Sequence, residues 1–185
     1  MTLCLPEDAD WEARRGSVAE EVRRRLLAVR AKRPAPRVDG KIIAAWNGLM
    51  IAALCKGYQV LGAPKWLDEA GAAARRILDQ MLCKARLYRS LCDGRLGPAG
   101  SLEDYVFVID GLLELFESDF DAAWVEAACR LQRIQDAKFW DDREGGYFDT
   151  AADDLILRRK ELTNGVLPAG NDVALVNLLK LEALY

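Results

Sequence analysis

The sequence predicts an all-α fold, an α/α toroid in which an inner layer of helices is wrapped by an outer one. Two observations carry this. A helical unit is written twice and begun a third time, opening at Trp46-Asn47-Gly48-Leu49-Met50-Ile51, at Ser101-Leu102-Glu103-Asp104-Tyr105 and at Gly170-Asn171-Asp172-Val173-Ala174. The openings lie about 55 to 65 residues apart, which suits a helix pair with its connections. Within each unit, an almost continuously apolar helix alternates with an amphipathic one. A helix apolar on all sides needs neighbours on all sides, whereas a striped helix needs cover on one face. Concentric layers meet both demands. An open α-solenoid is the second arrangement compatible with the pattern.

Residues 1–16 read as an irregular segment with Trp11 as a possible anchor, and 17–185 as the helical domain. Ser17-Val18-Ala19-Glu20 has the capping-box pattern that starts a helix. Val18, Val22, Leu26 and Val29 give that helix one apolar face, predicting an outer-layer partner for the helix that follows. It should stop before Pro34. Residues 33–40, with two prolines and Gly40, read as a linker.

The next helix is predicted over 41–61, with Ile42, Ile43, Trp46, Leu49, Met50, Ile51 and Leu54 covering most of its circumference. Gly62 is placed to cap its end and Pro64 to begin the next helix, 64–83, whose apolar stripe is Trp66, Leu67, Ala70, Ala74, Ile77, Leu78 and Met81. Helix 102–118 is apolar nearly all round. Asp121 caps a striped helix over 122–137, and 172–184 is apolar again. Short β-like pieces fall between the units: 87–90, and a hairpin pairing 145–149 with 155–157.

Composition excludes several function classes. The net charge of −3 offers nothing to nucleic acid, and the basic stretch from Arg23 to Arg37 reads first as a solvated helix face. Histidine is absent, which removes His-based zinc sites and Ser-His or Cys-His catalysis. Five scattered cysteines without a C-x-x-C suggest a reducing, cytoplasmic setting. The N-terminus has no secretory-signal pattern, and no apolar run is long enough to span a membrane. No cofactor or metal is expected. Asp141, Asp142 and Glu144 beside Gly145-Gly146 lack the spacing of a calcium loop.

A set of short motifs carries a family resemblance. Arg30-Ala31-Lys32-Arg33-Pro34, Asp39-Gly40-Lys41, Trp46-Asn47-Gly48-Leu49-Met50-Ile51, Leu102-Glu103-Asp104-Tyr105, Gln135-Asp136, Phe139-Trp140-Asp141, Gly145-Gly146-Tyr147-Phe148 and Pro168-Ala169-Gly170-Asn171 occur in the order and spacing of the YyaL-type, spermatogenesis-associated, thioredoxin-like-domain proteins. The resemblance implies a six-hairpin (α/α)6 toroid akin to N-acylglucosamine 2-epimerases and six-hairpin glycosidases, and a carbohydrate-type cavity. Three hairpins would make this chain half of such a ring.

The candidate site residues cluster where the apolar helices begin. Glu103 and Asp104 are a carboxylate pair suited to acid–base work on a glycosidic bond, although first-turn carboxylates also serve as caps. Asp39 and Lys41 precede the first apolar helix and are ligand-binding candidates, Asp39 being equally suited to capping. Trp46 is placed to stack on a sugar face or to pack. Asn47 needs a polar partner on so apolar a helix. Tyr105 offers a hydroxyl, Asn171 a cap or a ligand contact, and Tyr147 with Phe148 a rim for the mouth. Two readings stay open: a toroid that binds or processes carbohydrate, and a non-catalytic helical scaffold or protein-interaction module. The apolar first and last inner helices of a half ring predict a homodimer that completes it, since closed twofold symmetry is the commonest oligomeric arrangement.

Overall fold

The computed structural model describes residues 9–36, 38–151 and 156–184, with side chains described from Gly16 onward except Ser17. The predicted roles of Trp11 and Ser17 and the 151–154 turn therefore lie at least partly outside the described residues. The chain divides into two units, Met1–Asp39 and Gly40–Tyr185.

The first unit contains α1 (Ala9–Ala31). The helix begins well ahead of Ser17, so residues 9–16 are helical and not irregular. Its charged residues pair along the helix, Arg23 with Glu20 and Arg24 and Arg25 with Glu21. Val18, Val22, Leu26 and Val29 are all exposed, so the cover expected for an outer-layer stripe is not found on this helix.

The second unit holds α2 (Ala44–Leu61), α3 (Pro64–Gln80), α4 (Leu102–Asp119), α5 (Ala122–Phe139) and α6 (Gly170–Leu184). The layers follow the predicted alternation. Helix α4 is the wall between neighbours: it packs on α2, α5, α6 and α3. Twelve of its eighteen residues, from Leu102 to Leu115, are buried. Outer helices α3 and α5 bury one stripe each, Ala70, Ala74 and Ile77 on α3 and Trp124, Ala128, Leu131 and Phe139 on α5.

Helices α2 and α6 flank α4; α2 also packs on α3, and each leaves one flank uncovered. On α2, Trp46 and Met50 are exposed while Ala45, Ile51 and Cys55 are buried. On α6, Ala174, Asn177 and Leu181 face α4, while Leu175, Val176 and Leu179 are exposed and Leu178 is 36% exposed. These are inner helices each with one flank open, as expected of part of a ring.

Local chemistry sets the boundaries. Gly62 closes α2 in the left-handed conformation at φ 65°, its N–H donating to Tyr58 O at 2.8 Å, and Pro64 opens α3. The Asp121 carboxylate accepts from Ala123 N at 3.0 Å and caps α5. Helix α4 ends instead on Phe120 at φ 57°, whose ring meets Phe116 edge-on at 5.9 Å. Helices α2 and α4 approach closely because two glycines meet at their crossing. A methyl on Gly48 would lie 2.4 Å from the Phe107 carbonyl, and one on Gly111 would lie 2.8 Å from Gly48 O.

Two small sheets sit over the start of α4. The hairpin β2 (Leu82–Cys83) and β3 (Arg86–Leu87) turns through Lys84 and Ala85, both at positive φ. The other sheet has the order β1 (Ile42–Ile43), β4 (Ser90–Cys92), β5 (Arg95–Leu96) and turns through Asp93-Gly94, also at positive φ, the signature of a two-residue hairpin loop. Ile42 and Ile43, expected in the first helical turn, are thus a strand paired to Leu91 and Ser90. Among the described residues, Tyr147 of the expected hairpin bridges to Trp140 and Asp149 N donates to Arg159 O.

Candidate functional site

The three inner helices start side by side. Ala45 N in the first turn of α2 donates to Asp104 Oδ1 of α4 at 3.2 Å, and a Cβ on Gly170, the first residue of α6, would meet the Leu102 side chain at 3.0 Å. The helices are therefore parallel neighbours with their N-termini on one rim. Lys41, Trp46, Asn47, Glu103, Asp104, Tyr105 and Asn171 all belong to that rim. Asp39 lies in the other unit and is exposed.

Asp104 is the anchor of the rim. Its carboxylate accepts from Ser101 N at 2.9 Å, from Ser101 Oγ at 3.1 Å and from Ala45 N, with Arg89 Nη1 3.6 Å away. It is fully buried, and burial pushes its carboxyl above the ordinary aspartate value against these donors. Its oxygens are spent on holding two helix starts together. Glu103, the adjacent residue, is half-buried and keeps access to solvent.

The other candidates divide in the same way. Trp46 is 60% exposed, so its ring is available for stacking. Asn47 Nδ2 donates to Ile43 O at 2.8 Å, which answers the demand for a polar partner within its own turn. The Tyr105 hydroxyl accepts from Leu87 N at 2.9 Å and its ring meets Phe139 edge-on, tying α4 to β3 and α5. Asn171 mimics a strand: Oδ1 accepts from Tyr147 N at 2.7 Å and Nδ2 donates to Tyr147 O at 2.9 Å. Tyr147 is itself buried, its hydroxyl donating to Asp136 Oδ1 at 2.6 Å. Phe148 is covered by the Arg158 guanidinium at 4.0 Å, so neither aromatic is a free mouth residue. Asp141 is held by Lys160 Nζ at 2.5 Å and Arg143 N at 3.0 Å. No group of three or more metal-ligating side chains occurs among the described residues.

Further along the same helices lies a charged wall. Glu114 of α4, almost fully buried, receives Lys56 of α2 at 2.6 Å and Lys180 of α6 at 2.7 Å. Lys180 also reaches Glu117 at 3.4 Å and Asp110 at 3.7 Å. One acidic side chain thus clamps three parallel inner helices. Glu103, Asp110, Glu114 and Glu117 share one side of α4 by helical spacing. That acidic stripe on an otherwise apolar helix was the available signal for the wall. The lysines that meet it come from other repeats, and no local pattern marks them.

Related proteins agree with this architecture. No family model matches the chain. The chain is 39% identical over 173 residues to spermatogenesis-associated protein 20 of Rattus norvegicus, a match covering 86% of this chain and 22% of that protein. The Homo sapiens protein of the same name is 39% identical over 171 residues, covering 85% and 22%. The chain thus spans about a fifth of the length of the curated relatives it matches. Among solved structures, a glycoside hydrolase family 76 α-mannanase of Bacteroides thetaiotaomicron superposes with a TM-score of 0.63 at 16% identity, covering 81% of this chain and 41% of the mannanase. A cellobiose 2-epimerase of Spirochaeta thermophila gives a TM-score of 0.60 at 17% identity, covering 80% and 38%. At these identities the likeness establishes the fold, an α/α toroid of which this chain forms a part. Over 86% of its length the chain is similar to spermatogenesis-associated protein 20, the family that its motifs resemble.

Proposed function

We propose that this chain is the part of a carbohydrate-binding α/α toroid that carries one stretch of the sugar-facing rim. The observation that carries the reading is that Trp46, exposed in the first turn of α2, and Glu103, accessible in the first turn of the adjacent inner helix, lie on one rim. An exposed aromatic ring offers an apolar face for a pyranose, and a carboxylate accepts its hydroxyls. Asp104 acts as the positioning group, fixing the start of α2 against α4, and Glu103 is the carboxylate left for ligand contact or acid–base work. The fold neighbours named above are a mannanase and a cellobiose epimerase, which favours a neutral hexose unit as the ligand class.

The exposed flanks of α2 and α6 support a homodimer in which a second copy completes the ring. Cys55, Cys83 and Cys92, none of them in a disulfide, support a reducing, cytoplasmic setting. No helix among the described residues is long and apolar enough to cross a membrane.

Titration of the chain with manno-oligosaccharides and cellobiose, read by thermal shift and tryptophan fluorescence, tests the ligand reading. A saturable rise in melting temperature that Trp46→Ala and Glu103→Gln abolish is expected. No stabilisation by any sugar overturns it in favour of a scaffold. Analytical ultracentrifugation at micromolar concentration checks the assembly, and a compact monomer rejects the dimer.

A further inference from the structure

The side of α4 facing α5 carries a second concavity, distinct from the Trp46–Glu103 rim. A cavity of about 410 Å³ opens among the end of β3, the loop before α4, the last turn of α5 and residues 150–151. That volume lies in the range of small-molecule sites. Its charged lining comes from Arg86 and Lys138, on separate elements, and its polar lining from Ser101, Tyr105 and Thr150. No carboxylate lines it among the described residues. The nearest acid in sequence, Asp104, is already engaged by Arg89 and by the donors of Ser101 and Ala45.

The walls of this cavity are built. Arg158 Nη2 donates to Lys138 O at 3.3 Å and to Thr150 O at 3.1 Å, strapping two lining residues together while its guanidinium rests on Phe148. Arg89 Nη1 donates to Ser101 Oγ at 3.2 Å on the opposite wall. Tyr105 accepts from Leu87 N, an arrangement that orients its hydroxyl proton away from that backbone group.

We propose that this cavity binds the phosphate group of a small phosphorylated metabolite. Two cations approach from different elements, and the hydroxyls of Tyr105 and Thr150 add donors in further directions, the Ser101 proton being given to Asp104. Such a set suits a tetrahedral anion with three oxygens. A planar carboxylate is met most simply by the fork of a single arginine. The proposal does not depend on the sugar reading, since neither Trp46 nor Glu103 lines the cavity.

The test is a titration of the isotope-labelled full chain with inorganic phosphate, followed by amide chemical shifts, with acetate as the carboxylate comparison. Phosphate is expected to shift Arg86, Gly100, Ser101 and Ala151 with millimolar affinity and to weaken as sodium chloride is raised. Arg86→Met and Lys138→Met should each weaken binding about tenfold, the change that follows loss of one charge-assisted hydrogen bond. Arg86 is exposed and Lys138 half-buried, so both variants should fold, with an unchanged melting temperature as the check. No shifts at these amides, equal shifts with acetate, or undiminished binding by both folded variants would overturn the proposal.

Discussion

The contact between Gly48 and Gly111 makes a sharp prediction. Helices α2 and α4 share the most extensive interface between elements, and at its centre a Cβ on residue 48 would sit 2.4 Å from the Phe107 carbonyl carbon and oxygen and 2.7 Å from Val108 N. These are backbone atoms and cannot swing aside. Ordinary carbon contact needs separations near 3.5 Å, so Gly48→Ala must push the helices apart by about 1 Å. A gap of that size forfeits a quarter to a half of the dispersion energy of the contacts it opens. Overpacking of a tight core costs about 1–3 kcal/mol, and a seam this long places the cost at the upper end. Replacing a helical glycine returns at most about 1 kcal/mol through backbone entropy. The net loss is about 2 kcal/mol, which for a domain of this size lowers the melting temperature by about 4–8 °C. Urea denaturation followed by circular dichroism measures it directly. Gly40→Ala is the control, since nothing lies within 4 Å of a Cβ there. Should Gly48→Ala unfold at the same urea concentration as the parent chain, the close approach of α2 and α4 is wrong.

The charged clamp responds to acid. Burial pushes the Glu114 carboxyl up, but hydrogen bonds from Lys180 and Lys56 outweigh this and hold it below the ordinary glutamate value of 4.5. A lowered folded-state pKa stabilises fully above the unfolded value and is lost as pH falls through the folded one. Glu114→Gln should therefore flatten the stability loss below about pH 4.5. Asp110, pushed up by burial, has the opposite sign, so the difference between variant and parent is the quantity to plot, and identical slopes would exclude the clamp. Cys55 is fully buried and its thiol is pushed up to about 11, so iodoacetamide at pH 8 should alkylate exposed Cys83 and spare Cys55 until the chain is denatured, as peptide mass spectrometry can show. Asp104→Ala strips the cap and leaves Ser101 N and Ala45 N without their acceptor. It should cost about 2–3 kcal/mol by chemical denaturation, and a loss under 0.5 kcal/mol, about the effect of an ordinary surface substitution, would refute its role as the anchor.

The layering was legible because it is written in local periodicity. The all-round apolar pattern of α4 and the single stripes of α3 and α5 each report how many sides a helix must cover, and Gly62, Pro64 and Asp121 mark ends by their own backbone chemistry. What escaped the sequence depends on distant partners. Ile42 and Ile43 fit the helical apolar pattern, and only their pairing with Leu91 and Ser90 makes them a strand. Tyr147 looked like a hairpin residue, yet its backbone is claimed by Trp140 and by the side chain of Asn171. The capping motif at Ser17 predicted a start that α1 overruns, since nothing between Ala9 and Gly16 breaks a helix strongly enough to enforce it. Within the site, the acidic stripe on α4 was visible in principle, whereas Lys56 and Lys180 are ordinary surface lysines until the fold brings them to Glu114.

The neighbouring carboxylates Glu103 and Asp104 show how one sequence motif serves two ends. Successive helical residues point about 100° apart, so a pair at a helix start cannot share an environment. Here one turns into the junction with α2 and is fully enclosed, while the other keeps access to water. The enclosed carboxylate holds Ala45 N, one residue before Trp46, so the start of α2 is pinned to the helix that displays Glu103. The relative placement of the two helix starts is thereby set by buried backbone donors. Substitution at exposed Trp46 or half-buried Glu103 should therefore cost little stability, whereas loss of Asp104 would loosen both helix starts together.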